Sequence, residues 1–147
     1  MRRQARIIAL QTLYEIDFTS HNAEEILLRT LQEKPLPEDA ADFARGLVGG
    51  VLQNKQSIDS KIVKFAPAFP VEQMAGIDRN ILRLAIFEVL FDNNVPVKVA
   101  INEAVELAKK FGSDTSPKFV NGVLGSVIRD FKEQGINLKI DWNWNIP

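Results

Sequence analysis

Three arginines at the start of the chain are the residues whose type and spacing most directly suggest a chemical role. Arg2, Arg3 and Arg6 fall in the first turns of a predicted helix, and no acidic residue precedes Glu15. A helix N-terminus carries a partial positive charge, so basic residues there are unfavourable for the helix itself. Guanidinium groups bind phosphate through paired hydrogen bonds. Free guanidinium groups at this tip would suit nucleic acid, and a frayed, solvated terminus is the simplest structural alternative.

The side chains that enzymes use for catalysis are scarce in this sequence. Cysteine is absent, which excludes disulfides and thiol catalysis and favours a reducing, cytoplasmic setting. The one histidine, His21, lies in a predicted loop without a second group to form a nucleophilic triad. The segment 122–126 contains two glycines but lacks the lysine and the strand of a phosphate-binding loop. We therefore predict a binding protein, with no enzymatic activity, metal or cofactor.

Length and composition indicate one ordinary globular domain. The chain has 147 residues, of which 46% are hydrophobic, and it has no apolar run of membrane-spanning length. Its formal net charge is −1. Because the overall charge does not favour nucleic acid, any such binding must come from a local basic patch.

Hydrophobic periodicity predicts an all-α fold of about seven helices. Prolines at 67 and 70 predict a junction between helical subdomains 1–66 and 71–135 within a single domain, 1–135. In the tail, 136–147, apolar and polar residues alternate, which is typical of an extended segment. The predicted helices cover about 3–18, a segment capped by Asn22, a segment after Pro37, a short helix around Ile58 and Ile62, 71–91, 97–111, and a last helix capped by Ser116.

Several features within the helices lead to specific expectations. Gly46 and Gly50 lie four residues apart in the third helix, which suggests close helix approach. Arg83 lies in a helix that is apolar nearly all round, so it needs an acidic partner, and Glu103 is a candidate. A second stripe on the first helix mixes charge with apolar surface and suggests either a partner face or burial in a bundle. This stripe consists of Arg3, Ile7, Leu10 and Tyr14.

Three segments, taken together, resemble the NusB family. The first is RRQAR followed by ALQTLY, over residues 2–14. The second is IDRNILRLAIFE, over 77–88. The third is VPVKVAINEAVELAKKFG, over 95–112, which continues into SPKFVNGVL at 116–124. The likeness preserves order and spacing over about residues 2 to 131.

The resemblance implies an all-α fold with two small helical subdomains and a role in transcription antitermination. It implies binding to the boxA element of nascent ribosomal RNA jointly with NusE, a ribosomal small-subunit protein, in a complex that acts on RNA polymerase. The positions that match family RNA contacts are Arg2, Arg3, Arg6, Tyr14, Lys118 and Phe119. The positions that match the region facing RNA and NusE are Asp78, Phe111 and Thr115. Gln4 stands where many relatives have a basic residue.

Two other functions are compatible with this sequence. NusB-like domains also precede the methyltransferase domain of some RNA cytosine methyltransferases, although no methyl-donor domain is present before Pro147. The chain could instead be a helical dimerisation module whose interface is the mixed stripe. A homodimer that covers Arg3 and Arg6 would store the protein rather than bind RNA.

Overall fold

The computed structural model describes residues 1–68, 70–92 and 95–134, and these residues form helices and loops but no strand. Within them no helix is long and apolar enough to cross a lipid bilayer. The predicted all-α fold is confirmed, and the predicted extended tail, 136–147, lies outside the described residues. The helices are α1 (Arg2–Phe18), α2 (Ala23–Glu33), α3 (Glu38–Gln53), α4 (Lys55–Phe65), α5 (Gly76–Ile86), α6 (Val97–Phe111) and α7 (Ser116–Glu133), together with a 3₁₀ turn (Val71–Gln73) and a π-helical segment (Phe87–Asp92).

Local capping chemistry explains the start of α2 but not that of α7. Asn22 caps α2 as predicted, because its Oδ1 accepts hydrogen bonds from the N–H groups of Glu24 and Glu25 at 2.8 and 3.3 Å. The predicted capping role of Ser116 is wrong, since Thr115 holds the cap position and Ser116 is already helical. The Ser116 hydroxyl instead accepts the N–H of Ser113 at 2.9 Å and closes the preceding loop.

The predicted helix over 71–91 is divided into three pieces. Met74 and Ala75 have extended backbones, so a 3₁₀ turn precedes them and α5 begins only at Gly76. Arg79 stabilises this break, because its Nη1 donates to the carbonyls of Val71 and Met74 at 3.0 and 3.1 Å. Apolar periodicity did not reveal the break, because it depends on Arg79, whose side chain binds backbone carbonyls that a continuous helix would have bound through its own N–H groups.

Helices α1 and α5 lie at the centre of the fold. α1 packs against α2, α3 and α5, and α5 also packs against α4, α6 and α7. Buried apolar side chains from both halves of the chain form one continuous cluster. The division into subdomains 1–66 and 71–135 stays a prediction.

One of the two glycines in α3 permits a close contact. A Cβ atom at Gly50 would lie 2.1 Å from the ring of Phe87, so this position requires glycine. The same expectation for Gly46 is wrong, because nothing outside its own helix lies within 4 Å of a Cβ there. Gly50 therefore allows the π-helical segment, which begins at Phe87, to approach α3.

Candidate nucleic-acid interface

Arg6 lies inside the protein rather than on its surface. Its Nη2 and Nε donate to the two carboxylate oxygens of Glu88 at 2.8 and 2.9 Å. Both side chains are almost fully buried, at 4% and 3% exposure. Glu88 belongs to the π-helical segment that continues α5, so the pair joins α1 to the end of the central helix. The expectation of a free guanidinium group at Arg6 is therefore wrong.

Arg3 remains at the surface but is paired with Glu103 of α6. Its Nε and Nη2 donate to the two Glu103 oxygens, both at 3.1 Å, and the Arg3 side chain is 58% exposed. The hydrogen bond and the charge of Glu103 raise the pKa of Arg3 above its usual value. Like Arg6, Arg3 is therefore not the free cation that the sequence suggested.

The predicted pairing of Arg83 with Glu103 is wrong. Arg83 instead binds Asp59 of α4 at 2.8 Å and Asp17 of α1 at 3.0 Å. The reason is tertiary: Arg83 points from α5 toward α1 and α4, whereas Glu103 extends from α6 toward the start of α1. The apolar sequence around Arg83 predicted correctly that this residue is buried and has an acidic partner, but it could not show which acid the partner is.

Arg2 has no acidic partner among the described residues. It is exposed, and its guanidinium carbon lies 4.2 Å from the centroid of the Phe43 ring on α3. A cation placed over an aromatic face is attracted to it while its N–H groups stay available. Within the described part of the chain, the Arg2 side chain makes no hydrogen bond or ion pair, so its guanidinium donors can reach an external anion.

The mixed stripe of α1 lines two cavities, of which the first faces α6 and the second is bordered by α5 and the end of α6. The first has a volume of about 280 Å³ and contains Arg3 and Ile7 of α1. The second has a volume of about 320 Å³ and contains Leu10 and Tyr14. From the other side, the first cavity is lined by Glu103, Glu106, Leu107, Lys109 and Lys110. We call the two cavities together the α1/α6 groove.

Aromatic side chains form the second half of the α1/α6 groove. The rings of Tyr14 and Phe18 lie 4.8 Å apart at a tilt of 44°, and the two side chains are 40% and 60% exposed. Ile77 and Phe111 complete this wall. Gly76 packs against the pair so closely that a Cβ would lie 2.7 Å from Phe18. Exposed rings of this kind can stack on unpaired bases.

The remaining predicted site residues occupy different surroundings. Lys118 is exposed on the first turn of α7 and Phe119 packs half-buried against the core, and neither lines the α1/α6 groove. Thr115 is exposed just before α7. Asp78 is half-buried in the first turn of α5, and its Oδ1 is buried without a hydrogen-bond partner among the described residues. The structure therefore brings Tyr14 and Phe111 together in one cavity, and it places Arg3 in the other cavity of the α1/α6 groove.

Sequence reasoning missed several residues of the α1/α6 groove, among them Phe18, Lys110 and Glu103. Phe18 follows Tyr14 by one helical turn, and this spacing places both rings on one face, a signal that was available. Lys110 is adjacent to Phe111, with its Nζ 5.4 Å from that ring centroid, but its position beside Arg3 depends on how α6 crosses α1. The same is true of Glu103.

A different groove, of about 680 Å³, lies between α2 and α3. Its lining is mostly apolar and includes Leu28, which is 61% exposed. None of the predicted site residues lines it. In the described residues, no group of histidine, cysteine and acidic side chains could hold a metal ion.

Comparison with known proteins identifies the family. A family model described as "NusB family" matches residues 3–129. The transcription antitermination protein NusB of Dehalococcoides mccartyi is 56% identical over 126 residues, which cover 86% of this chain and 88% of that protein. The protein of the same name from a Roseiflexus species is 47% identical over 136 residues, or 91% of this chain and 96% of the relative.

Solved structures agree with this assignment. A structure of T. maritima NusB has 34% sequence identity and a TM-score of 0.82, and the match covers 88% of this chain and 92% of that one. A crystal structure of the antitermination factors NusB and NusE in complex with dsRNA matches with 30% identity and a TM-score of 0.81, over 88% of this chain and 96% of that one. The family and the fold inferred from the three sequence segments are confirmed. The chain belongs to the NusB family of transcription antitermination proteins.

Proposed function

We propose that this NusB-family chain acts in antitermination by binding the boxA element of nascent ribosomal RNA jointly with NusE, in a complex that acts on elongating RNA polymerase. The observation that carries the proposal is the α1/α6 groove, which has three basic side chains beside two glutamates at one end and exposed aromatic rings at the other. Single-stranded RNA is bound by this combination, because cations contact phosphates and rings stack on bases.

The geometry of α1 supports a continuous path for the RNA. Arg3 and Tyr14 lie on the same face of α1, about three helical turns apart. Arg3, which is exposed although it is paired with Glu103, lies at the start of this path, and Arg2 supplies a second exposed cation over Phe43 of α3, outside the groove. Since the net charge of the chain is −1, these local cations must provide the attraction to phosphate. We assign to Arg6 a supporting role, because it is buried against Glu88.

We assign the NusE contact to Asp78, Phe111 and Thr115. Phe111 lines the aromatic end of the groove, and Asp78 follows Ile77, which lines it too. Asp78 is only half-buried, so the accessible part of its carboxylate can accept a hydrogen bond from a partner's donor. The solved NusB–NusE–dsRNA relative makes NusE the partner of choice. Lys118, exposed at the start of α7, is assigned to an RNA phosphate, and Phe119 to the adjoining surface.

The test measures binding of fluorescently labelled boxA RNA by anisotropy, with a scrambled RNA as control, across a salt series and with or without NusE. We expect a preference for boxA, tighter binding with NusE, and affinity that falls steeply with salt, with a slope of about −0.7 per phosphate contact. Equal affinity for boxA and scrambled RNA in the presence of NusE would contradict the proposal. Light scattering of the same samples shows whether a homodimer competes with RNA.

Matched arginine variants test the location of the site. Arg2→Ala and Arg3→Ala should each weaken binding and make the salt dependence shallower. Arg45→Ala is the control, because Arg45 is an exposed arginine of α3 paired with Asp42 at 2.8 Å and does not line the α1/α6 groove. If all three variants lose affinity equally, the effect comes from net charge and not from this surface.

A further inference from the structure

We infer that Glu103 competes with RNA phosphate for the guanidinium group of Arg3, so that RNA binds by displacing an acid of the protein itself. This inference rests on the proposed RNA-binding function and names a residue that sets its affinity. The acid belongs to α6, and the cation belongs to α1.

The geometry of the Arg3–Glu103 pair is that of an arginine bound to phosphate. Nε and Nη2 form one edge of the guanidinium group, and each donates to a different Glu103 oxygen at 3.1 Å. Two parallel hydrogen bonds from one edge are also how arginine binds two phosphate oxygens. The Glu103 carboxylate therefore occupies the positions that two phosphate oxygens would take.

Exposure determines which of the arginine pairs can open. The Arg6–Glu88 pair is 4% and 3% exposed, so separating it would leave two buried charges without partners. The Arg3–Glu103 pair is 58% and 19% exposed, so water can solvate both groups once they separate. Pairs at such exposed positions contribute little to stability. Arg3 can therefore exchange one acidic partner for another, whereas Arg6 cannot.

Displacement has a cost that depends on Glu103. Once phosphate takes the Nε/Nη2 edge, the released carboxylate remains next to an RNA anion and repels it. Replacing Glu103 with glutamine removes the repulsion and weakens the competition, because the neutral amide keeps the shape of the side chain but has one acceptor oxygen instead of two charged ones. We therefore expect Glu103→Gln to tighten RNA binding by roughly 3- to 10-fold.

The opposite result is expected if Glu103 stays in place. In that case phosphate would take the outer edge of Arg3, and Glu103 would hold the side chain in position. Glu103→Gln would then loosen Arg3 and weaken RNA binding. The sign of the change in affinity distinguishes displacement from positioning.

The test compares Glu103→Gln with Glu106→Gln in the RNA anisotropy assay. Glu106 is the matched control, because it lines the same cavity and carries the same charge but bonds Lys109 at 3.3 Å rather than Arg3. We expect a clear gain for Glu103→Gln and a smaller one for Glu106→Gln. In an Arg3→Ala background the two changes should have equal, small effects. Unchanged or weaker binding by Glu103→Gln, or a gain that persists without Arg3, would overturn the inference.

A second readout separates this inference from the proposed function. The Nε–H resonance of Arg3 can be followed by NMR during titration with pyrophosphate, which needs no RNA preference. The midpoint should fall to a lower pyrophosphate concentration in Glu103→Gln than in the wild type or Glu106→Gln. A lowered midpoint without any boxA preference would refute the proposed function and leave the competition intact. Equal midpoints for the three proteins would refute the competition.

Discussion

Arg6 and Glu88 form a buried ion pair, with Nη2 and Oε1 2.8 Å apart, that fixes α1 against the π-helical end of the central helix. The guanidinium carbon of Arg6 also lies 5.3 Å from the centroid of the Phe43 ring, and Arg2 covers that same ring at 4.2 Å. Arg6 therefore helps to position the surface from which Arg2 projects. We therefore expect any contribution of Arg6 to RNA binding to be indirect.

Removing Arg6 should destabilise the fold. Arg6→Ala leaves Glu88 buried without its partner, so we expect the free energy of unfolding to fall by about 3–5 kcal/mol. Arg3→Ala, which opens a half-exposed pair, should cost less than about 1 kcal/mol. Urea unfolding followed by circular dichroism measures both. A fully stable Arg6→Ala protein would show that the buried pair does not hold α1 in place.

The three N-terminal arginines show how far sequence reasoning extends. Their spacing predicted a cationic helix start, and α1 indeed begins at Arg2. Whether an arginine is unpaired depends on the residues of other helices that contact it. Arg3 is paired with Glu103 of α6, and Arg6 is paired with Glu88 of the π-helical segment. These acids are 100 and 82 residues distant in sequence, so no local pattern could reveal them. Hydrophobic periodicity did predict most of the helices, because a helix, unlike a long-range ion pair, is specified by residues that are close together in sequence.

The aromatic end of the site was partly predictable. The resemblance pointed to Tyr14 and Phe111, and the structure places both in one cavity. Helical spacing could have added Phe18. Ile77, which lines the cavity, and Gly76, which packs against the two rings, could not have been added, because their positions depend on the break that makes α5 begin at Gly76 and not at residue 71.

The ring of Tyr14, rather than its hydroxyl group, should carry its role in RNA binding. Stacking on an unpaired base contributes about 1–3 kcal/mol, so Tyr14→Ala should weaken boxA binding by roughly 5- to 150-fold. Tyr14→Phe keeps the ring and should bind nearly as the wild type does. The side chain is 40% exposed, so neither change should unfold the protein. Equal affinities of the Ala and Phe variants in the anisotropy assay would exclude stacking.

A methyl group at Gly76 should disturb the aromatic pair without unfolding the chain. It would lie 2.7 Å from Phe18 and 3.0 Å from Tyr14, and both contacts involve the outer atoms of surface rings that can shift. We expect Gly76→Ala to weaken RNA binding several-fold, since stacking depends on ring placement. Gly122→Ala is the control, because nothing outside α7 lies within 4 Å of a Cβ there.

The free energy of unfolding and the RNA affinity, measured for both variants, distinguish the effect of Gly76→Ala from that of Gly122→Ala. Gly122→Ala should raise the free energy of unfolding by about 0.5–1 kcal/mol, because alanine favours helix over glycine, and should leave RNA affinity unchanged. Gly76→Ala should lose affinity with little change in stability. If Gly76→Ala binds RNA as tightly as Gly122→Ala does, the position of the Tyr14–Phe18 pair does not determine binding.

Asp17 should make the stability of the protein sensitive to acid. Burial alone would raise the pKa of Asp17, but the hydrogen bond from Asn80 and the charges of Arg83 and Arg79 lower it below its usual value. A carboxylate with a lowered pKa in the folded state stabilises the fold above its unfolded pKa of about 3.9. This stabilisation is lost as the pH falls through the lower, folded value. At neutral pH it is fully present.

The measurement compares wild type and Asp17→Asn by urea unfolding from pH 7 to pH 2. We expect the free energies of unfolding to differ by a constant amount above about pH 5, because Asp17 is ionised in both the folded and unfolded wild type. Below about pH 4 the difference should shrink, since only the wild type can lose the contribution of this carboxylate. Asp39→Asn is the control, because it also removes one carboxylate but at an exposed position of α3. If the difference between wild type and Asp17→Asn stays constant down to pH 2, the charge of Asp17 does not contribute to stability through its ion pairs with Arg79 and Arg83.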